Sequence, residues 1–190
     1  VLLGQGGTGK TWYAREQAKH HAGKIICTAK THVACQKLQI PAETITLARL
    51  YRKYILLGAV EKGTLTIVDE TGLASTQDFQ QILLPLKKLG CILWLLGDPQ
   101  SQMLPVSDEF LGRNISGDIS DTAMLKSCVD CKRCMFTEPK RCDKQLFAWI
   151  STIANGGVRT RLPFSTLLEQ ARLVFPATDR QRETNVSLTH

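Results

Sequence analysis

Residues 1–11 have the sequence VLLGQGGTGKT, in which three apolar residues lead into a glycine-rich turn that closes on Gly9, Lys10 and Thr11. The spacing G-x-x-x-x-G-K-[ST] is typical of a loop that binds phosphate between a strand and a helix. Glycines let successive backbone N–H groups point at phosphate oxygens, and the first turn of the helix offers further unpaired N–H groups to the same anion. The sequence therefore predicts a P-loop and, with it, a nucleotide site.

The positions of this loop have distinct expected roles. Lys10 would reach the β- and γ-phosphates of ATP, and the hydroxyl of Thr11 would bind Mg²⁺. The alternative is a glycine-rich strand-to-helix turn without a ligand, which the complete motif in this context disfavours. The residues expected to bind the nucleotide are Gly6, Gly7, Thr8, Gly9, Lys10 and Thr11.

The composition is that of a folded protein with a basic excess. Of the 190 residues, 43% are hydrophobic and 22% are charged, and the net charge of +7 favours a polyanionic partner. No apolar stretch has the length of a membrane span and no signal peptide is visible, so a membrane partner is not expected. Seven cysteines, an odd number, are typical of reduced thiols inside a cell. Only three residues precede the P-loop motif and no initiator Met is present, which suggests a fragment.

Strands and helices are predicted to alternate along the first half of the chain. Continuous apolar runs favour buried parallel strands, and the helical periodicity between them favours helices that cover the sheet on both faces. The sequence thus predicts an α/β fold. After the strand that precedes the P-loop, the predicted strands are 24–28, 65–68 and 91–96, and the predicted helices are 11–22, 31–38, 44–57, 76–89 and 144–154. Regularity is lost between residues 105 and 140, and a last strand is predicted at residues 185–188.

Acidic residues follow the predicted strand at residues 65–68. In a P-loop ATPase, Asp69 would hold Mg²⁺ and Glu70 would polarise the attacking water. Helix caps or solvated turn residues are the alternative. The next strand ends at Gly97 and Asp98, and ligands of parallel sheets lie beyond the carboxyl ends of the strands. The P-loop and the two acidic loops are therefore expected to meet at one site.

Three motifs in the order GQGGTGKT, IVDE and GDPQSQMLPV resemble those of superfamily 1 helicases, in particular the Pif/RecD-like branch. The resemblance implies a RecA-like parallel sheet and an ATP-driven motor that moves 5′-to-3′ along single-stranded DNA. The third family motif carries a glutamine, and an amide at that position can reach the γ-phosphate or the attacking water. One extra residue here leaves either Gln102 or Ser101 at the position of that glutamine, and Gln102 is favoured.

The sequence TAKTHVAC at residues 28–35 resembles a family segment that contacts single-stranded DNA. Ala29, Thr31 and Ala34 match that segment, whereas Lys30 and Val33 depart from it. The resemblance implies a contact with single-stranded nucleic acid, DNA being favoured over RNA, and an ordinary helix start is the alternative. The residues expected to make the contact are Lys30, Thr31 and His32.

The sequence FTEPKRCDKQLF at residues 136–147 resembles the family segment that opens the second RecA-like domain. By that resemblance Arg141 would reach the γ-phosphate as an arginine finger in cis. A solvated arginine in a basic stretch is the alternative. The implied organisation is a truncated first RecA-like domain over residues 1–135, followed by the start of an incomplete second domain over residues 136–190.

Four cysteines have the spacing C-x₂-C-x₂-C-x₇-C. Four thiolates satisfy a tetrahedral Zn²⁺ ion, but a structural zinc usually pairs two C-x-x-C knuckles, so reduced bystander thiols are favoured over a zinc site. The four residues are Cys128, Cys131, Cys134 and Cys142.

Two classes of function remain open at this point. The first is a helicase motor that couples ATP hydrolysis to movement along a single strand, with a viral RNA helicase as a variant. The second is a P-loop ATPase that serves as a regulatory or assembly module and separates no strands. ATP and Mg²⁺ are the expected cofactors of both.

Overall fold

The computed structural model describes residues 1–98, 109–110, 113–114, 123–130, 132–156 and 164–175. Gln102, Ser101 and Cys131, together with the strand predicted at residues 185–188, lie outside the described residues. The chain divides into two compact units, Val1–Asn155 and Gly156–His190. In the second unit the structure describes one helix, Phe164–Val174. Within the described ranges, no helix has both the length and the apolar character that a membrane span requires.

A six-stranded parallel sheet forms the centre of the first unit. Its strands, in spatial order β3-β2-β4-β5-β1-β8, are all hydrogen-bonded in parallel. They are β1 (Leu2–Gly4), β2 (Ile25–Ala29), β3 (Glu43–Thr46), β4 (Leu65–Val68), β5 (Ile92–Gly97) and β8 (Cys134–Phe136). A separate antiparallel pair consists of β6 (Glu109–Phe110) and β7 (Arg113–Asn114). The parallel sheet predicted from the apolar runs is confirmed.

Helices of the first unit connect the strands and pack on both faces of the sheet. The helices of this unit are α1 (Lys10–Ala18), α2 (His32–Lys37), α3 (Leu47–Leu50), α4 (Thr76–Asp78), α5 (Leu84–Lys88), α6 (Ala123–Cys128) and α7 (Lys144–Gly156), and the helix of the second unit is α8 (Phe164–Val174). A π-helical segment, Tyr51–Leu56, continues α3, and another, Phe79–Leu83, joins α4 to α5. The turn after β4 contains a 3₁₀ helix, Thr71–Leu73.

Side chains of the central strands alternate between two hydrophobic clusters, one on each face of the sheet. Ile26 and Val68 pack with the helices that follow β3 and β4, whereas Cys27 and Ile67 pack with α1 and with Leu38 after α2. This alternation follows from the two-residue period of a strand, and it buries apolar side chains on both sides. Helices on both faces of the sheet, as predicted, are therefore confirmed.

The single helix predicted at residues 44–57 is wrong in its first part. Residues 43–46, ETIT, form the edge strand β3, which pairs with β2, and the helix begins only at Leu47. Thr46 caps that helix, since its side chain accepts a hydrogen bond of 3.4 Å from the Arg49 N–H. The spacing of the apolar residues is compatible with a helix along the whole segment. Residues 43–46 are rich in β-branched side chains, which favour a strand, and they lie beside the edge of β2, so they pair with β2 instead.

Regular structure also forms between residues 105 and 140, where no element was predicted. Helix α6 packs Leu125 and Cys128 into the core, and β8 adds a short strand to the edge beside β1. The first compact unit continues past β8 to Asn155, beyond the boundary predicted after residue 135. The assignment of residues 136–190 to the start of a second RecA-like domain stays a prediction.

Candidate nucleotide site

The strand order brings three loops together at one edge of the sheet. Strand β5 lies between β1 and β4, so the P-loop, the Asp69–Glu70 turn and Asp98 all follow neighbouring carboxyl ends. These loops border a cleft of about 830 Å³. It is lined by Gly6, Gly7, Gly9, Lys10, Thr11, Trp12, Arg15, Lys37, Gln39, Asp69, Glu70, Leu96, Gly97, Asp98, Lys140 and Arg141.

The P-loop has the backbone that its glycines make possible. Gly7 and Gly9 have φ angles of 83° and 91°, in the left-handed region that residues with a Cβ rarely adopt. Gly9 precedes α1 without a side-chain cap, which leaves the first amides of that helix available to an anion. The buried Thr8 hydroxyl donates to the Gln5 carbonyl at 2.8 Å and so stays within the loop rather than in the cleft.

Lys10 extends from the start of α1 back over the loop. Its Nζ donates to the carbonyls of Gly4 at 2.6 Å and Gln5 at 3.0 Å. Burial lowers the pKa of the ammonium, and the nearby carboxylates of Asp98 and Asp69 oppose that shift. The side chain is thus held at the point where the loop and both acidic strand ends meet.

The two acidic residues after β4 have different surroundings. Burial raises the pKa of the Asp69 carboxyl, and the hydrogen bond of 2.9 Å from the Glu70 N–H works against this shift. Glu70 has a φ of 51°, a left-handed conformation that costs a non-glycine residue about 1–2 kcal/mol. Backbone strain of this kind is common at functional sites. It turns the chain sharply after Asp69, so that both carboxylates line the cleft.

Asp98 has a more direct part in the site than its sequence position indicates. Its Oδ2 accepts a hydrogen bond of 2.8 Å from the Gly6 N–H, which ties β5 to the P-loop. The position of Gly97 and Asp98 after a predicted strand correctly predicts that Asp98 lies at the carboxyl edge of the sheet. Its contact with the loop depends on the pairing of β5 with β1, which a single strand pattern does not reveal.

Arg141 lies beside the P-loop, in the loop between β8 and α7. It is exposed and lines the cleft. The neighbouring Lys140 N–H donates to the Gly7 carbonyl at 2.9 Å, and a Cβ added at Gly7 would lie 3.2 Å from the Arg141 Cβ. The structure therefore brings the arginine to the nucleotide cleft, and its role as a finger stays a prediction.

The candidate nucleic-acid contacts lie together, but outside the cleft lining. Lys30 and His32 are exposed in the connection from β2 to α2, and the Lys30 Nζ forms an ion pair of 2.6 Å with Asp78. Thr31 caps α2, because its side chain accepts a hydrogen bond of 3.2 Å from the Ala34 N–H. The cap is the geometry of an ordinary helix start, and the nucleic-acid role of this loop stays a prediction.

The described members of the cysteine cluster differ in exposure. Cys128 is buried in the hydrophobic core, whereas Cys134 is exposed and Cys142 is half-buried. Across the described part of the chain, no three His, Cys, Asp or Glu residues are grouped so that they could hold a metal ion. Cys131 lies outside that part, so the absence of zinc stays a prediction, which metal analysis of protein purified without chelator would test.

Comparisons with known proteins show which folds this chain is similar to. A family model described as an AAA domain matches residues 1–130, while no curated protein matches the chain. The structure resembles Pif1 helicase from Bacteroides in complex with ADP-AlF3 and ssDNA, with 17% identity and a TM-score of 0.66 over 97% of this chain and 47% of that one. It also resembles Bacteroides Pif1 bound to ssDNA (19%, TM-score 0.61, 89% and 44%) and Pif1 helicase from Candida albicans (17%, TM-score 0.62, 90% and 43%).

These comparisons confirm the predicted fold class, a RecA-like P-loop NTPase sheet. They also bear out the resemblance to the Pif/RecD-like branch that the three motifs carried. The chain spans less than half the length of each of these three helicases.

Proposed function

The chain belongs to this AAA domain family, and from that premise we propose that it is the ATP-binding part of a Pif1-like helicase motor. It would hydrolyse ATP and couple hydrolysis to movement along single-stranded DNA in the 5′-to-3′ direction. The observation that carries the proposal is the meeting of Lys10, Thr11, Asp69 and Glu70 around a single cleft at the carboxyl edge of the sheet.

The P-loop and the charged residues around it have distinct chemical tasks in this proposal. The P-loop amides and Lys10 bind the phosphates, and Glu70 orients and polarises the water that attacks the γ-phosphate. The Thr11 hydroxyl and the Asp69 carboxylate are hard oxygen donors of the kind that Mg²⁺ prefers, so both residues suit this ion. When bound, Mg²⁺ neutralises charge on the β- and γ-phosphates. Arg141, which lies beside Gly7 of the P-loop, would stabilise the charge of the transition state.

Three observations support single-stranded DNA as the partner. The chain carries a net charge of +7, and basic excess favours a polyanion. Two of the fold relatives are described as complexes with ssDNA. The connection between β2 and α2, which follows the carboxyl end of a strand in the same sheet, exposes Lys30 and His32. An ATPase module without strand separation, or an RNA helicase, would share the same cleft.

The nucleotide assignment is tested by Lys10→Ala, with Lys19→Ala as the matched control. The exposed Lys19 lies at the C-terminal end of the same helix and pairs only with the half-buried Glu16 among its described contacts. We expect Lys10→Ala to abolish phosphate release from Mg-ATP while the fold survives, and Lys19→Ala to leave it unchanged. Turnover by Lys10→Ala within a few-fold of the parent would contradict the site.

The choice between a helicase and an ATPase module needs a longer chain that includes both RecA-like domains. We expect single-stranded DNA to stimulate its ATP hydrolysis, with single-stranded RNA as the comparison. Hydrolysis that neither polymer stimulates would favour the module, and stimulation by RNA alone would favour the RNA helicase.

A further inference from the structure

The segment that follows β8 packs along the P-loop at several points. A Cβ added at Gly4 would lie 2.5 Å from the Phe136 carbonyl oxygen, so only glycine fits beside that strand. Further along the loop, the Gly7 carbonyl accepts the hydrogen bond from the Lys140 N–H at 2.9 Å. Asp143 then caps α7 through a hydrogen bond of 2.8 Å from the Leu146 N–H. Helix α7 therefore begins from a loop that is itself attached to the P-loop.

A side-chain contact between Gln5 and Ser151 joins the middle of α7 to the P-loop. Gln5 is only 6% exposed, and its Oε1 accepts a hydrogen bond of 2.5 Å from the Ser151 hydroxyl. The Gln5 Nε2 is also buried and, among the residues that the structure describes, has no partner. A buried amide that is half satisfied costs stability, and a functional role is one explanation for keeping such a group.

The geometry of the Gln5–Ser151 contact is compatible with two arrangements that differ in their hydrogen bonds. The Ser151 Oγ also lies 2.7 Å from the Phe147 carbonyl, yet a hydroxyl has one proton and donates to one acceptor at a time. If the Gln5 amide turns over, its Nε2 donates to Ser151 while Ser151 donates to Phe147. The turned amide satisfies Nε2, the Ser151 hydroxyl and the Phe147 carbonyl, and it moves Oε1 to the buried position where Nε2 has no partner among the described residues. An exchange between the two arrangements therefore breaks one hydrogen bond and forms another.

The backbone of the same glutamine supports the phosphate-binding residues. The Gln5 carbonyl accepts from the Lys10 Nζ at 3.0 Å and from the Thr8 hydroxyl at 2.8 Å. A Lys10 ammonium that moves to a phosphate gives up carbonyl partners, and this changes the hydrogen bonding at Gln5. Gln5 thus lies between the lysine on one side and α7 on the other.

We propose that Gln5 and Ser151 are positioning residues that set the geometry of the P-loop and make α7 responsive to the bound nucleotide. They act through Lys10 and Thr8 rather than by touching the phosphates. The proposal rests on the nucleotide site proposed above. By linkage, a pair that couples α7 to the nucleotide affects both nucleotide affinity and the behaviour of α7.

The first test compares the affinity of Ser151→Ala and Thr152→Ala for Mg-ADP. Thr152 is the matched control, because its hydroxyl makes the same kind of bond to the Ala148 carbonyl, at 3.0 Å, but is exposed. We expect Ser151→Ala to weaken binding by about three- to tenfold, the range for one lost hydrogen bond. Ser151→Thr, which keeps the hydroxyl, should restore the affinity. Equal affinities of Ser151→Ala and Thr152→Ala would overturn the proposal.

The second test is hydrogen exchange of the α7 amides with and without Mg-ADP. We expect the nucleotide to change the exchange of residues 147–151 in the parent chain and not in Gln5→Met, which keeps the volume but removes the amide. A purely structural contact would alter stability without removing that response. If Mg-ADP binds the parent and leaves the exchange of the α7 amides unchanged, the proposed role of Gln5 and Ser151 is wrong, whereas the nucleotide site is still supported. If the parent binds no Mg-ADP at all, the proposed function falls as well.

Discussion

At the scale of single residues, the site places a carboxylate where burial opposes its charge. Burial raises the pKa of Asp69 above its ordinary value of 3.8. When the pKa of a carboxyl group is higher in the folded state than in the unfolded state, the neutral carboxyl favours the folded state. This stabilisation is fully present below the pKa of the unfolded state and is lost as the pH rises through the pKa of the folded state. At neutral pH the ionised Asp69 therefore lowers the free energy of unfolding. A bound cation would relieve that cost.

We accordingly predict that Asp69→Asn raises Tm at neutral pH, measured without nucleotide or Mg²⁺. The gain should shrink as the pH falls through the raised pKa of the folded parent toward 3.8, because the parent carboxyl becomes neutral over that range. Asp130→Asn is the control of opposite sign, because the hydrogen bond from Lys87 lowers the pKa of that exposed carboxyl. An Asp69→Asn variant that is less stable than the parent at neutral pH would contradict the burial argument.

Glu70 should separate nucleotide binding from hydrolysis. In Glu70→Gln a neutral amide keeps the volume and the turn but polarises water poorly, so we predict that hydrolysis falls by about 10²–10⁴-fold. The affinity for Mg-ATP should stay near that of the parent, because Glu70 acts on the water rather than on the phosphates. Titration of a fluorescent nucleotide alongside steady-state phosphate release measures both quantities. Parallel losses in the two would assign Glu70 to binding instead.

Thiol reactivity should divide the cysteines by burial. Burial raises the pKa of Cys27 to about 12 and that of Cys128 to about 11, whereas Cys134 is exposed. Since the thiolate is the reactive form, timed alkylation of the native protein should label Cys134 first and leave Cys27 and Cys128 unmodified until the chain unfolds. Mass spectrometry of the labelled peptides gives the order. Early labelling of Cys27 would show that the core opens readily.

At the scale of elements, one helix start combines a cap with a charge. Ser75 and Asp78 form a reciprocal capping box at the start of α4, in which the Ser75 hydroxyl accepts from the Asp78 N–H at 3.1 Å. Asp78 also accepts from Lys30, so the cap supports the connection between β2 and α2.

We predict that Ser75→Ala lowers the free energy of unfolding by about 1 kcal/mol, the usual value of such a cap. Chemical denaturation measures the loss, and Ser127→Ala is the control, since its exposed hydroxyl bonds only the Ala123 carbonyl of its own helix among the described contacts. Equal effects of the two substitutions would mean that the capping box contributes little.

Elements with strong local signals could be predicted, and those that depend on distant partners could not. The P-loop and the strand before Asp69 follow from stereochemistry and from a continuous apolar run. Strand β8 has three residues, two of them exposed, and forms only because β1 lies beside it. The Gln5–Ser151 contact joins residues 146 positions apart, and no local pattern encodes such a pair.

At the scale of the whole molecule, the described part of the chain holds one parallel sheet and one candidate nucleotide cleft. The P-loop, together with Asp69 and Glu70, the residues proposed to hold Mg²⁺ and to polarise water, belongs to the unit Val1–Asn155. A motor that moves along a strand needs two domains that close and open while each holds the nucleic acid. The second unit of this chain, Gly156–His190, is short for such a domain.

We therefore predict that the 190-residue chain binds Mg-ATP, hydrolyses it slowly and separates no duplex. An arginine finger contributes about 10³–10⁵-fold when it is held correctly, and the exposed Arg141 side chain would need a facing domain to hold it against the γ-phosphate. Contacts from Lys30 and its neighbours should still give weak binding to single strands that salt abolishes. Three measurements on the same preparation check this: nucleotide titration, phosphate release, and displacement of a labelled strand from a duplex with a 5′ overhang. Lys10→Ala provides the baseline for each. ATP-dependent strand displacement by the 190-residue chain above that baseline would show that one sheet with its own arginine suffices, and the two-domain argument would then be wrong.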